Sequence, residues 1–174
     1  MRSSRLSVLA SLFVLAGALA LAPSAWATCT CDNTVIGTSG DDFLTGGSGV
    51  DCIYGRDGGD LIYGFGSGDC LYGEEGPDGI YGDVGDDEIF AGSSGIYDDY
   101  SSGWTGTDLI DGGDDKDTMT GNLGNDIIVG GNGNDGLYGE GDDDSLTGDA
   151  GTDYAEGSNG TDTCDAETES NCEL

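Results

Sequence analysis

A glycine recurs every nine residues through almost the whole of this chain, and an aspartate follows each one five residues later. The glycines are Gly37, Gly46, Gly55, Gly64, Gly73 and Gly82, then Gly103, Gly112, Gly121, Gly130, Gly139, Gly148 and Gly157. The aspartates are Asp42, Asp51, Asp60, Asp69, Asp78 and Asp87, then Asp108, Asp117, Asp126, Asp135, Asp144, Asp153 and Asp162. Two residues after each aspartate stands a side chain able to face a core, from Leu44, Ile53 and Ile62 to Leu146, Ala155 and Cys164. A fixed short period outranks local propensity, because it describes one small unit stacked many times.

The unit reads G-x-x-G-x-D-x-U-x, with U bulky and apolar. Its second glycine is replaced in three units, by Ser67, Asp115 and Asp142. Glycine at these offsets admits backbone turns closed to other residues and brings carbonyl oxygens together, and the aspartate adds an anionic oxygen. A hard cation with six to eight oxygen ligands, calcium, suits that donor set. The residues after the aspartate are enough for one short strand with only U pointing inward.

The segments GGSGVDCIY (46–54) and GGNGNDGLY (130–138) resemble the nonapeptide of the repeats-in-toxin (RTX) family, the hemolysin-type calcium-binding repeats. The resemblance extends over about 37–165. It implies an all-β, right-handed parallel β-roll with two nonapeptides per coil and calcium ions between the turns of neighbouring coils. It further implies that the aspartates named above bind metal through their side chains and the glycines through the turn backbone. Same-side neighbours would then lie eighteen residues apart, and pairing the turns at that spacing gives about ten Ca²⁺ sites.

The resemblance also places Cys52 and Cys70 side by side on adjacent strands, which makes them candidates for a disulfide. Cys164 and Cys172 are candidates for closing the carboxy-terminal end, leaving Cys29 and Cys31 to pair locally or between chains. Six cysteines suit an oxidising destination. A metal or redox site built on C-x-C without histidine is the weaker alternative.

Residues 1–27 read as a signal peptide. Arg2 and Arg5 precede an apolar stretch from Leu6 to Ala22, and Ala25-Trp26-Ala27 is an A-x-A cleavage site. The stretch is short for a membrane span, so no span is expected in the mature chain. The expected destination is secreted and extracellular, with periplasmic retention as the alternative. After the leader come a cap (28–36), a first repeat block (37–90), an irregular repeat with a three-residue insertion (91–102), a second block (103–165) and a carboxy-terminal cap (166–174). Tyr97, Tyr100 and Trp104 cluster at the irregular repeat, either as rings packed on the roll or as a protruding partner-binding loop. Tyr54, Tyr72 and Phe90, and separately Tyr63 and Tyr81, recur at eighteen residues, as a stabilising aromatic ladder or a sugar- or protein-binding surface.

Charge narrows the function classes. The chain has 35 Asp and Glu against 4 Lys and Arg, and a net charge of −31. That excludes nucleic acid as a partner. An acidic, Gly-rich chain without a register would be disordered, and without calcium disorder is the expected state here too. The absence of histidine rules out Ser-His-Asp and H-E-x-x-H chemistry. The G-x-G-x-x-G at 131–136 lacks the helix that a dinucleotide site requires. The expected function is therefore a non-catalytic, secreted calcium-binding roll that folds as it binds several Ca²⁺. The alternative is a calcium-dependent adhesin or matrix protein with a cell-surface or polysaccharide partner. The Thr-x-Asn ladders of ice-binding rolls are missing: the equivalent pairs include Ser39/Asp41 and Ala150/Thr152.

Overall fold

The structure is a computed structural model that describes residues 30–92 and 99–172. The expected leader, Cys29 and Tyr97 lie outside the described residues. No helix among the described residues is long and apolar enough to cross a membrane.

The described residues form sixteen short strands: β1 (Asn33–Ile36), β2 (Phe43–Thr45), β3 (Asp51–Asp57), β4 (Leu61–Gly66), β5 (Cys70–Glu75), β6 (Gly79–Val84), β7 (Glu88–Gly92), β8 (Tyr100–Thr105), β9 (Leu109–Asp114), β10 (Thr118–Leu123), β11 (Ile127–Gly133), β12 (Gly136–Gly141), β13 (Ser145–Gly151), β14 (Tyr154–Asn159), β15 (Thr163–Asp165) and β16 (Thr168–Ser170). Odd strands build one eight-stranded parallel sheet and even strands the other, each in chain order. Each coil therefore lays one strand in each sheet. The register is eighteen residues, as in Ile53↔Leu71 and Ile62↔Ile80, so the chain is an all-β parallel β-roll.

Alternation along each strand decides what is inside. In β4, Ile62 is buried while Leu61 and Tyr63 are half-buried. The register turns these inward positions into two columns. Val35, Ile53, Leu71, Ile89, Ile110, Ile128, Leu146 and Cys164 line one sheet; Leu44, Ile62, Ile80, Met119, Leu137 and Ala155 line the other. The second column is interrupted by Ser101, which is fully buried between Ile80 and Met119, with a hydroxyl that finds no hydrogen-bond partner. The irregular repeat thus keeps its place in the core but fills it with a polar group.

The outward aromatics stack on one another. Tyr54 and Tyr72 lie 4.8 Å apart and 3° from parallel, Tyr72 and Phe90 5.1 Å and 8°, and Tyr63 and Tyr81 4.8 Å and 9°. Stacked rings occupy each other's faces, which supports the stabilising role. Tyr100 and Trp104 are not in a protruding loop: both lie on β8, in register with Gly79 and Asp83, and Tyr100 tilts against Tyr81.

The cysteine pairing differs from the expectation at one end. Cys164 and Cys172 are bonded, with Cα atoms 5.8 Å apart. Cys52 and Cys70 are in register as expected, but Cys52 is bonded to Cys31, Cα–Cα 5.6 Å, and Cys70 is disulfide-bonded elsewhere. In-register parallel strands hold Cα–Cβ bonds parallel, so the Cβ atoms keep the strand spacing of about 4.8 Å. A disulfide usually needs about 3.8 Å. Cys31 precedes β1 and approaches Cys52 without that constraint.

Candidate metal centre

The turns between strands carry the repeated chemistry. In each regular turn from Gly55 onward, the residue after the leading glycine is left-handed, as in Arg56 (φ 85°), Trp104 (84°), Gly131 (100°) and Asp149 (63°). The leading glycine is required by space. A Cβ on Gly130 would sit 2.7 Å from Asp135 Oδ2 and 2.8 Å from the carbonyl oxygen of Gly148, one coil on. At Gly46 the corresponding distances to Asp51 Oδ2 and the Gly64 carbonyl are both 2.6 Å. In these turns a carboxylate oxygen and a carbonyl oxygen from the next coil thus stand together against the leading glycine.

The aspartates form two columns joined by hydrogen bonds. Each backbone N–H donates to Oδ1 of the aspartate one coil later: Asp60 to Asp78, Asp69 to Asp87, Asp108 to Asp126 and Asp126 to Asp144, at 2.7–2.9 Å. The separation is eighteen residues, except across the irregular repeat, where it is twenty-one. There Asp78 N–H donates to Asp99 Oδ1, and Asp87 N–H to Asp108 Oδ1. Asp99 is a rung that lies outside the nonapeptide motif. Its partner two residues on is Ser101 rather than an apolar side chain, so the D-x-U frame was hidden.

The second oxygen of these carboxylates is the unusual one. Oδ2 of Asp60, Asp69, Asp78, Asp87, Asp108, Asp126, Asp135, Asp144, Asp153 and Asp162 is buried without a hydrogen-bond partner. Burial pushes several of these groups far above the usual carboxylate range: Asp69 and Asp126 to about 6, Asp78, Asp87 and Asp144 to about 7, and Asp108 to about 8. Hydrogen bonds to Oδ1 oppose the rise, and neighbouring aspartates add to it, as Asp126 and Asp87 do for Asp108.

The first two turns are different. Asp42 Oδ2 accepts from Thr38 N–H (2.5 Å) and Thr38 Oγ1 (2.8 Å), and Asp51 Oδ2 accepts from Gly47 N–H (2.6 Å). Neither Thr38 nor Gly47 is left-handed. Here the turn's own amide fills the position that stays open in later turns.

A second ladder, invisible to the motif, runs along the turn edges in the opposite direction. The N–H of Gly59, Thr107 and Thr152 donates to the side chain one coil earlier, Asp41, Asp86 and Asn134, at 2.9–3.0 Å.

Among the described residues, no three carboxylates converge on one point. An ion would therefore draw on one aspartate oxygen and on turn carbonyls from two coils. The open donors are all hard oxygens, the chain has no histidine and the cysteines among the described residues are all in disulfides. Buried, unpartnered, anionic oxygens beside carbonyls fit Ca²⁺.

The profile of the RTX calcium-binding nonapeptide repeat matches residues 32–62, 63–94, 95–128, 102–137 and 129–164. The chain belongs to this family. No curated protein matches it. Membership makes this RTX chain a β-roll of calcium-binding repeats, and it also exposes a departure. The segment GGNGNDGLY that carries the resemblance has glycine as its second residue, Gly131, as does the turn at Gly113, yet Phe65, Glu74, Asp83, Trp104, Asn122 and Glu140 hold the same left-handed position here. Each such residue costs about 1–2 kcal/mol relative to a relaxed backbone.

Proposed function

We propose that this protein is a secreted, non-catalytic calcium-binding roll whose folding is coupled to ion binding. The observation that carries the reading is the set of buried Oδ2 atoms without partners on Asp60, Asp69, Asp78, Asp87, Asp108, Asp126, Asp135, Asp144, Asp153 and Asp162. Ionised and unpaired, they oppose folding; a divalent cation against each turn reverses the sign. The core alone is thin, with one buried apolar side chain per nonapeptide, worth about 2 kcal/mol. Ordering nine backbones costs on the order of 10 kcal/mol.

The thirteen motif aspartates remain the proposed ligands, with two amendments. Asp42 and Asp51, already hydrogen-bonded within their own turns, act as an amino-terminal cap. Asp99 supplies a further rung across the insertion, and the total stays at about ten Ca²⁺. Calcium here is a structural cofactor for a leader-bearing chain with disulfides, which supports export to the cell exterior.

Circular dichroism of residues 28–174 tests the reading. A largely unfolded spectrum in EGTA should convert to β structure in millimolar calcium. Identical spectra in both conditions would refute the coupling.

One observation favours the adhesive alternative. Phe43, Phe65, Val84, Trp104 and Leu123 are exposed large apolar side chains on consecutive strands of the even-numbered sheet, interleaved in register with Asp83, Thr105 and Asn122, and exposed apolar surface of this kind is found at interaction sites. Binding of the purified protein to cells or polysaccharide, abolished by EGTA, would support it.

A further inference from the structure

The two ends of the roll are fastened differently. At the carboxy-terminal end the Cys164–Cys172 bond spans 8 residues and closes the last coil on itself. At the amino-terminal end the Cys31–Cys52 bond spans 21 residues and ties the segment before β1 to β3. Cys70 lies one strand further on, in register with Cys52, and is itself disulfide-bonded. The chain has six cysteines. Four are taken by Cys31–Cys52 and Cys164–Cys172, which leaves Cys29 for Cys70. The reach suffices: neighbouring strands lie about 4.8 Å apart, and a two-residue step of extended chain covers about 7 Å.

We propose that Cys29–Cys70 and Cys31–Cys52 form a double staple across β1, β3 and β5, and that the stapled coils are a folding seed that persists without calcium. Forming the Cys29–Cys70 bond takes two protons and two electrons from two thiols, and a small-molecule or protein disulfide accepts them.

Three other features of this end agree with a seed. The turns at Asp42 and Asp51 are closed by their own hydrogen bonds from Thr38 and Gly47, so they need no ion. Asp32 N–H donates to the Val50 carbonyl at 2.6 Å and Gly37 N–H to the Tyr54 carbonyl at 2.8 Å. Tyr54 stacks on Tyr72, and Tyr63 on Tyr81. Further along, the column of Tyr54 and Tyr72 passes from Phe90 to Asp111, Val129 and Thr147, and the stacking ends.

The turns at Asp60 and Asp69, between β3 and β5, keep unpartnered Oδ2 atoms. There the staple and the Tyr54–Tyr72 pair hold β5 on β3. A cross-link lowers the entropy of the unfolded segment, so the loop closure that later coils must meet through ion binding is already met here. In a stacked repeat each unit leans on its neighbour. Folding therefore runs from the amino-terminal end as calcium rises. That order rests on the calcium-coupled reading of the later turns; the seed itself does not.

Hydrogen exchange of the secreted, oxidised protein in EGTA tests the seed. Amides of β1, β3 and β5 should be protected while those of β9–β14 exchange freely, and reduction should abolish the protection. Non-reducing peptide mapping of Cys31→Ser/Cys52→Ser should join the peptide of Cys29 to that of Cys70. In Cys29→Ser, Cys70 should become a thiol open to alkylation. Uniformly fast exchange along the oxidised chain in EGTA, protection that survives reduction, or Cys70 bonded to a second copy would overturn the stapled seed and leave the calcium reading standing. Protection of every strand in EGTA would overturn the calcium reading as well.

Discussion

The backbone N–H of Asp108 donates to Oδ1 of Asp126, eighteen residues on, at 2.8 Å. Asp108 in turn presents its own Oδ1 to Asp87. One carboxylate thus does two jobs: Oδ1 ties adjacent coils together, and Oδ2 is left facing the turn. An asparagine at such a position keeps the first job and loses the charge needed for the second.

That division makes the turns separable. Asp69→Asn should reduce the number of bound calcium ions by one and raise the calcium midpoint of folding. Asp51→Asn should change neither, because Asp51 Oδ2 is already occupied by Gly47 N–H. Isothermal titration of the two variants decides; an equal loss of ions in both would count against the amino-terminal cap.

Metal-free behaviour should depend on pH with a definite sign. In the folded chain, burial raises Asp69, Asp78, Asp87, Asp108 and Asp144 to about 6–8, against about 3.9 when unfolded. Between those values the roll holds more protons than the unfolded chain, so its stability grows as pH falls and is lost as pH rises through about 6–8. In EGTA, the β signal should be larger at pH 5 than at pH 8. The reverse order would show that these groups are not buried in the metal-free chain.

Ser101 offers a test of the core. Its hydroxyl is buried without a partner among apolar neighbours. Ser101→Ala removes the unsatisfied group with almost no change of volume, and should stabilise the calcium-saturated protein by about 1 kcal/mol in urea unfolding. A loss of stability would mean that the hydroxyl is satisfied in solution.

Asp142 stands where the repeat has glycine, at φ 80°, and its charge helps to raise Asp126 and Asp144. Asp142→Gly relieves left-handed strain of about 1–2 kcal/mol, partly offset by about 0.5–1 kcal/mol of glycine chain entropy. The variant should melt higher at saturating calcium, and Asp142→Val lower. No difference between the two would contradict the strained turn.

The nine-residue period by itself determined the repeated unit, its short strands and the one inward position in each, because a strand alternates its faces and a repeat stacks on its own copy; the two-sheet roll and the eighteen-residue pairing came from the resemblance of that unit to the RTX nonapeptide. The sequence did not reveal that Asp99 is a rung or that Ser101 sits in the core, because an insertion and a polar substitution hide the motif there. Nor could it tell Asp42 and Asp51 from the other eleven aspartates. The same letters form an internally hydrogen-bonded turn at the start of a column and an open one deeper in the stack, where both neighbours are present. Cys52 and Cys70 share a register but not a bond, since parallel Cβ atoms stay too far apart, and Cys31, which precedes β1, is not held to that parallel geometry. These were decided by tertiary structure, because they depend on what lies one coil away and at what angle, and a linear pattern states only how far along the chain that neighbour is.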